Sequence, residues 1–558
     1  MGLRIDTRRR RGIFVFGFLF FFSLPAAFSE IYRIDSPETV ELRYLYRRAA
    51  RAFPFSSYPV HGSDLLAAAV KLDGRLGGAD AEALDRVIRD LSAYNRRGIF
   101  LRGAASVSYV HRLRGSKLAL DEGEVKNALD FRRAFLSAPP FFELEAAGGT
   151  FTGLFLDAHA GQRPAWTGDY WPVNNFVLPA SKIEFASDVF STGIVSWNGK
   201  YIDTFFGRDN LHFGETPGAG LYPSRDVPYL DGLRFSISLG RFSMDYLLST
   251  IQPKKALHDV DPNEAAPADE TGKTPAYFGF MTDPDPSVIL TALHRFGWNF
   301  GPLKAGAGAT VVYARSRNMF TFTDIVPISS WHNADMRPNN MNIIFELSWA
   351  FYPGFNFTGS FGFDDINLNS IGVADSGTPT IPAFVFQVEY GIRKDIFRAD
   401  FLLEGGYTHY LWGNFSYGTD DTWGRAPLAR AIYRYAPNKN AVLLPLTSPY
   451  GPGTVWGRLA GTLGIPRFNL KTSAELLVLT KNRDVNLVDT KYSSGDITRR
   501  SPRIWYVSLD LPAAYTWKYL TFVFNPALIL KDKRAALELS LGFTFRLGGQ
   551  RFNTRDAG

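Results

Sequence analysis

The sequence predicts a mainly β fold: a large transmembrane antiparallel β-barrel of about 16–18 strands, preceded by a small N-terminal α-helical bundle. Three observations predict this class: an N-terminal export signal, a change of apolar period from 3.6 to 2 near residue 100, and aromatic residues at many strand ends. Alternation of apolar and polar residues also occurs in soluble β-sandwiches and propellers, which remain the alternative class on the pattern alone.

Composition narrows the class further. The chain has 558 residues, among them Phe 47, Tyr 25, Trp 11 and Gly 51, and it has no cysteine. The lack of cysteine excludes disulfides, thiolate metal sites and cysteine nucleophiles. The formal charge is +7, but the first 29 residues carry much of it, so the rest of the chain is too weakly basic to indicate a nucleic-acid partner.

Residues 1–29 read as a cleaved Sec-type signal peptide. Arg8–Arg11 form a basic region, residues 13–24 form a short apolar region, and a small-residue site permits cleavage after Ser29. The alternative is an uncleaved anchor, but the apolar run is shorter than the roughly 20 residues of a spanning helix. No later run is long and apolar enough to predict a transmembrane helix.

Residues 30–98 are expected to form a periplasmic helical segment. The predicted caps are Ser36, Ser63 and Asp80, and Leu84, Val87, Ile88 and Leu91 have helical spacing. We expect these helices to pack against a larger body and to carry no chemistry of their own.

Residues 99–547 are expected to form the barrel in the cell outer membrane, and residues 548–558 a C-terminal tail. Alternation is clearest at 233–239, 384–390, 397–404 and 537–547, runs that approach or reach the length needed to cross a bilayer at a tilt. The aromatic-rich last strand resembles a signal for the barrel-assembly machinery. The long polar loops are expected on the extracellular side.

No motif predicts catalysis, a cofactor or a metal. The eight histidines lack metal-site spacing, and Gly272-Lys273-Thr274 lacks the first glycine of a P-loop. Asp259, Asp261 and Asn263 imitate part of a calcium loop, but Glu264 stands where an EF-hand has glycine. An acidic solvated loop is the better interpretation, and we predict a non-enzymatic protein.

Three loops combine aromatic faces with polar groups, as sugar-binding sites do. Simple loop packing or an interfacial aromatic girdle is the alternative interpretation. The candidate polysaccharide-binding residues in these loops are Trp166, Trp331, Asp335, Arg337, Trp412 and Trp423.

The stretch 203–239 carries a distinctive pattern. A strand ends in Gly207-Arg208, His212-Phe213-Gly214 forms a turn, and a loop with Pro228 leads to Asp231 and the next strand. This pattern resembles the capsule-assembly Wzi family, in which the turn reads Trp-Gly-Pro-Gly. Here Phe213 replaces the tryptophan and Glu215 replaces the proline.

The resemblance implies an 18-stranded outer-membrane barrel, with a helical bundle at its periplasmic end and a lectin-like role toward surface polysaccharide. We assign Arg208 and Arg234 to the lumen face, where they and His212 would meet an acidic glycan. The alternative is that the arginines pair with Glu389, Asp400 or Glu404. The expected partners are outer-membrane lipid, surface polysaccharide and the assembly machinery, and the alternative function is a porin-like channel for small solutes.

Overall fold

The structure of the chain is a computed structural model. It describes residues 31–94, 100–102, 105–114, 134–144, 153–159, 176–177, 184–185, 192–223, 227, 229–251, 288–315, 324, 339–364, 366, 380–413, 432–435, 442–482, 503–518, 520–531, 534–547 and 551–553.

The N-terminal part is a compact helical unit with its own core. Its helices are α1 (Pro37–Arg48), α2 (Gly62–Val70) and α3 (Gly78–Tyr94), and its short strands are β1 (Ile31–Tyr32), β2 (Ser57–Tyr58) and β3 (Val60–His61). Leu42, Leu45, Leu65 and Leu84 are almost fully buried together, because the helical period places them on facing stripes. Within the described residues no helix is long and apolar enough to cross a membrane.

A closed antiparallel β-barrel follows, which confirms the predicted fold class. Its strands are β5 (Ala105–Arg114), β6 (Ala134–Leu144), β7 (Gly153–His159), β10 (Thr192–Asn198), β11 (Ile202–Asp209), β13 (Leu230–Leu239), β14 (Phe242–Thr250), β15 (Val288–Asn299), β16 (Leu303–Arg315), β17 (Asn339–Tyr352), β18 (Phe355–Phe363), β19 (Pro382–Lys394), β20 (Phe397–Thr408), β23 (Thr454–Ile465), β24 (Leu470–Asn482), β25 (Arg503–Asp510), β26 (Ala513–Trp517), β27 (Leu520–Lys531) and β28 (Arg534–Leu547).

The ring closes where β28 pairs with β5, from Leu547 opposite Ala105 to Glu538 opposite Arg114. Strands β25 and β26 pair with the same two neighbours and act as two halves of one strand, so the described barrel has eighteen strands. An even number is usual for single-chain bacterial barrels, and closure leaves no unpaired edge.

Seven further short strands of the described residues lie outside the ring. They are β4 (Phe100–Arg102), β8 (Phe176–Val177), β9 (Glu184–Phe185), β12 (His212–Phe213), β21 (Ile432–Tyr435), β22 (Val442–Pro445) and β29 (Arg551–Asn553), and β29 pairs with β4. The predicted tail therefore contains a strand that pairs beside the point where the chain enters the barrel.

The two ends of the barrel differ. Tight turns connect β10 to β11, β13 to β14, β17 to β18 and β19 to β20, whereas the other end carries the long connections. The turn at Pro353-Gly354 depends on glycine, since Gly354 has a φ of +91°. Helix α1 packs on the short-turn end, where Gly354 N donates to Arg47 O and Ala52 N donates to Gly301 O.

The outward face is apolar, and aromatic residues cluster close to the short turns. Trp298, Trp349, Tyr352, Tyr515 and Trp517 are between 41% and 61% exposed there, as a membrane-interface girdle requires. Three other aromatic residues at strand ends, Tyr410, Trp412 and Trp456, are buried and belong to no girdle.

One outward patch is covered by the protein itself. Tyr246, Leu248, Leu290 and Tyr313 lie on the outer side of the wall, yet they are buried in one cluster, and Asp324 contacts two of them. Tyr246 donates to Asp324 O, and Tyr313 donates to its carboxylate at 3.2 Å. At this patch the alternating apolar residues therefore contact protein rather than lipid.

The helix caps differ from prediction. Ser36 is the N-cap of α1, but its Oγ accepts from Arg33 N at 2.8 Å instead of capping the helix. Helix α2 begins at Gly62 with His61 as N-cap, so the prediction for Ser63 was wrong, and its Oγ donates to Asn198. Helix α3 begins at Gly78, and Asp80 pairs with Arg48 at 2.7 Å.

Candidate functional site

Two segments enter the lumen from opposite ends and meet inside it. Residues 53–61, between α1 and α2, reach in from the short-turn end. Of the connection 210–229, between β11 and β13, the described residues 210–223, 227 and 229 fold in from the long-loop end. Its strand β12 pairs with β2 (His212 with Tyr58, Phe213 with Ser57). We call these two segments together the plug.

A buried ion cluster joins both halves of the plug to the wall. The Arg295 guanidinium of β15 is fully buried and lies 2.6 Å from Glu215 and 2.8 Å from Glu346. It also donates to Ser56 Oγ of the entering segment. Lys304 lies 3.0 Å from Glu215 and donates to Pro54 O at 2.9 Å. Each charge has partners, as burial in low dielectric demands.

A second set of contacts to residues 53–61 comes from the two preceding strands, β13 and β14. Arg234 of β13 donates to Pro59 O and to Ser57 Oγ, and its guanidinium lies over the Phe205 ring at 4.6 Å. Asp245 of β14 accepts from Ser57 Oγ at 2.6 Å and lies 3.3 Å from Arg295. A wall cation, Arg234, and a wall carboxylate, Asp245, therefore both bind residues 53–61 and hold this segment inside the barrel.

The long-loop half of the lumen is filled by apolar side chains. Leu211, Phe213, Leu221 and Tyr222 of the plug are buried in one cluster with residues from the wall and from later loops. The other members include Leu247, Leu293, Val312, Ile344, Val385, Leu411, Trp412, Leu446, Trp456, Leu479, Tyr506 and Ile529. A wide aqueous pore would need polar groups along this surface.

The plug also contacts the far wall. Ala219 N donates to Glu404 Oε2 at 3.3 Å, and Glu404 also accepts from Trp456 Nε1 and Gln387 Nε2. Tyr222 donates to Ile344 O. The plug therefore spans from β13 to β20 within the ring.

Helix α2 is attached to the β10–β11 hairpin by an amide between two carboxylates. Asn198 Nδ2 donates to Asp64 at 2.9 Å and to Asp203 at 2.6 Å. Burial raises the pKa of the Asp64 carboxyl above its usual value, although hydrogen bonds with Asp203 and Asn198 and the charge of Lys71 oppose that shift.

The two predicted motif arginines lie on opposite faces of the wall. Arg234 is opposite Phe205 on the lumen side, as expected. Arg208 is three residues from Phe205, so it lies on the outward side, and the expectation of a lumen position was wrong. It pairs with Asp231 at 2.7 and 2.8 Å and lies 3.8 Å from the Tyr229 ring.

The carboxylates named as alternative arginine partners pair elsewhere. Glu389 and Asp400 both bind Arg47 of α1, at 3.0 and 2.6 Å, and Glu404 is 3.8 Å from Arg458. The first two tie the helical unit to the short-turn end of the barrel.

The other motif residues build the plug. His212 is buried with its ring 6.1 Å from that of Tyr58, and Phe213 is fully buried. Gly214 has a φ of +106°, and Gly207 a φ of +132°, conformations that favour glycine. At Gly214 an added Cβ would lie 2.7 Å from Glu346 Oε1.

The candidate sugar-binding tryptophan that the structure describes is not accessible. Trp412 is 2% exposed, and its Nε1 donates to Thr447 at 3.1 Å. Its position favours packing, and its role in sugar binding stays a prediction. The signal peptide, the calcium-like loop 259–270 and several site candidates lie outside the described residues: Trp166, Pro228, Trp331, Asp335, Arg337 and Trp423.

A cavity of about 940 Å³ lies beside the plug at the short-turn end. It separates α1 from strands β20, β23, β24, β26 and β27, and we call it the basic cavity because cations outnumber acids in its lining. Its charged lining residues are Arg43, Arg47, Arg398, Arg458, Lys471, Lys518, Glu389, Asp400 and Glu475. Across the described ranges no group of three or more acidic or histidine side chains could hold a metal ion.

The sequence did not reveal the residues that hold the plug: Ser56 of the plug itself, and Asp245, Arg295, Lys304 and Glu346 of the wall. The four wall residues have one signal in the sequence, which is charge at lumen positions of regular strands, such as Asp245 between Met244 and Tyr246. A polar lumen position is ordinary in a barrel, so this signal does not reveal which of them meet.

The closed ladder, the apolar outer face and the filled lumen define an outer-membrane-type β-barrel with an internal plug. Its fold resembles that of Wzi from Escherichia coli, an outer-membrane protein involved in group 1 capsule assembly and described as a carbohydrate-binding β-barrel. The TM-score is 0.57 at 11% identity, covering 93% of this chain and 99% of Wzi. At this identity the likeness shows the fold.

Two other solved structures superpose less well. OpdQ from Pseudomonas aeruginosa has a TM-score of 0.37 at 9% identity, covering 80% of this chain and 97% of its own. OccD1 (OprD) has a TM-score of 0.36 at 11% identity, covering 81% of this chain and 97% of its own. No family model matches the chain, and no curated protein matches its sequence.

Proposed function

We propose that this chain is a Wzi-like, non-catalytic outer-membrane protein that binds or organises surface polysaccharide. The observation that carries the proposal is the plug, which joins residues 53–61 to residues 210–229 inside the ring. A barrel whose lumen is occupied in this way suits a role at its outer surface better than passage of solutes. The fold shared with a carbohydrate-binding barrel over 93% of the chain supports the same role.

The 203–239 pattern adds a second line of support. Sequence resemblance to the Wzi family falls on this stretch, and the same residues form the inward connection and the two strands that flank it. The pattern therefore coincides with the structural element that distinguishes this barrel from an open one.

The proposal includes location and partners. Residues 1–29 act as a Sec-type signal, the barrel-assembly machinery inserts the chain into outer-membrane lipid, and the helical unit faces the periplasm. The long loops then face the cell exterior, and their aromatic and polar residues contact the glycan.

The alternative function, a porin-like channel for small solutes, is tested by conductance. Purified protein in planar bilayers is expected to give no large steady current, because ion pairs and apolar contacts occupy the lumen. A large steady current from the unmodified protein would reject the plugged-barrel role.

Glycan binding is tested directly. The purified protein is incubated with immobilised acidic and neutral bacterial polysaccharides, and the variant Trp331→Ala is compared with the control Trp298→Ala. Trp298 is 41% exposed on the outer wall near a short turn, far from the long loops. We expect Trp331→Ala to weaken binding and the control to retain it, whereas no binding to any glycan would refute the proposal.

A further inference from the structure

We propose that the basic cavity is a second glycan site, which binds an acidic, uronate-type oligosaccharide from the short-turn end of the barrel. This inference goes beyond the surface role, because the cavity lies at the opposite end from the long loops. It rests on four features of the cavity: its charge, its hydroxyl groups, its size and its fixed walls.

The charge of the lining favours an anion. The six cations exceed the three acids. All four arginines have acidic partners: Arg43 with Glu389 at 3.7 Å, Arg47 with Asp400 at 2.6 Å, Arg398 with Asp400 at 2.7 Å and Arg458 with Glu475 at 2.8 Å. The excess positive charge of the lining therefore comes from its two lysines. Lys471 and Lys518 are exposed, and neither has an acidic partner among the described residues. Lys471 lies within the concave lining, whereas the Lys518 ammonium lies 5.6 Å from the centroid of the outward-facing Trp517 ring. A charge in a concave surface focuses a positive potential on the opening.

The uncharged lining favours a sugar. Thr462, Asn469, Ser473, Thr516 and Thr521 add hydroxyl and amide groups to the wall. Such groups both donate to and accept from sugar hydroxyls, and arginine side chains bind carboxylates through paired hydrogen bonds. A carboxylated oligosaccharide matches both sets of groups, whereas a small inorganic anion would use only the charges.

The size and rigidity of the cavity suit a ligand of several sugar units. Its volume of about 940 Å³ is near the upper end of the roughly 300–1,000 Å³ found for small-molecule sites. Small lumen-facing residues, Ala460 and Gly464, leave this space open. Ion pairs from α1 to the wall, such as Arg47 to Glu389 at 3.0 Å, fix the side chains before a ligand enters.

The test measures binding of trigalacturonate to the full chain in detergent micelles by isothermal titration calorimetry. Maltotriose serves as a neutral probe of equal length, and inorganic phosphate as a small-anion probe. We expect trigalacturonate to bind, more weakly at higher salt, and the other two probes not to bind measurably. Equal binding of maltotriose, or phosphate binding as tight as trigalacturonate, would overturn the proposal.

Two variants locate the binding to this cavity. The double change Lys471→Glu and Lys518→Glu is expected to weaken trigalacturonate binding about tenfold or more. Gly464→Trp keeps the charge but fills the space, since a Cβ there meets only the Arg398 carbonyl oxygen at 4.0 Å, and it should abolish binding.

The control is Lys200→Glu, which reverses an exposed lysine in the turn between β10 and β11. Heat-modifiable gel migration verifies that every variant is a folded barrel. If both cavity variants bind trigalacturonate as the unmodified protein does, the ligand occupies another site and the inference is wrong. Because Trp331→Ala leaves the cavity unaltered, failure of this proposal is distinguishable from failure of the surface role.

Discussion

Glu215 and Arg295 lie 2.6 Å apart inside the barrel, although 80 residues separate them in the chain. Glu215 belongs to the connection that folds in from the long-loop end, and Arg295 belongs to the wall. Because Arg295 also donates to Ser56 of the segment from the other end, one guanidinium joins three parts of the molecule.

Arg295→Met is expected to destabilise the plug by about 3–5 kcal/mol, because it leaves Glu215, Asp245 and Glu346 buried without their shared cation. Proteolysis of residues 53–61 in detergent-solubilised protein, together with the urea midpoint, measures the effect. Arg241→Met, at an exposed turn, is the control and should change neither. Unaltered protease resistance in Arg295→Met would show that the cluster does not hold the plug.

Gly214→Ala is expected to cost about 1–3 kcal/mol, because φ is +106° and the new Cβ would lie 2.7 Å from Glu346 Oε1. Gly457→Ala is the matched control, since a Cβ there meets nothing within 4 Å. Urea unfolding of the two variants gives the comparison. Equal midpoints would mean that the turn at Gly214 relaxes without strain.

Asp64→Asn is expected to strengthen the docking of α2 at neutral pH. Burial raises the pKa of Asp64, so the folded state holds the proton more tightly than the unfolded state does. Docking is therefore most stable below the usual pKa of an aspartate and weakens as pH rises toward the raised value. Hydrogen-exchange protection of α2 between pH 4 and 8 measures this trend, which Asp64→Asn should remove and Asp85→Asn, on an exposed part of α3, should retain.

Acidification is expected to loosen the segment that follows β20. Burial lowers the pKa of His409 to about 4, and its Nδ1 accepts from Leu411 N at 3.3 Å. The folded state keeps this ring neutral, so stability is lost as pH falls from the usual 6.5 through about 4, by about 3 kcal/mol in all. Exchange protection of residues 409–413 should fall over that range, and a His409→Phe variant that shows the same fall would contradict the assignment.

The barrel was predictable because a strand in contact with lipid needs an apolar side chain at every second position. The runs 233–239, 384–390 and 537–547 became β13, β19 and β28, since each places apolar residues on the outer face. Arg208 was assigned to the wrong face because Phe205 and Phe206 are adjacent. One phenylalanine packs in the lumen and the other faces outward, so the local pattern did not identify the face.

The plug was not predictable for a different reason. Residues 53–61 and 210–229 have no periodic pattern, and their contacts join positions far apart in the chain, such as Ser56 and Arg295. Strand alternation places Arg295 in the lumen, but only the three-dimensional register shows which groups it meets. Side-chain burial likewise placed Trp412 in the core, although its loop composition was typical of a sugar site.

The lumen is asymmetric: the plug crosses it from β13 to β20, and the open volume lies against β23 to β27. A transmembrane voltage would therefore act unevenly across the cross-section, with its gradient steepest where closely packed side chains exclude electrolyte. Any trace leakage of small ions would pass along the inner face of β23 to β27. Compounds that block this leakage should act from the short-turn side.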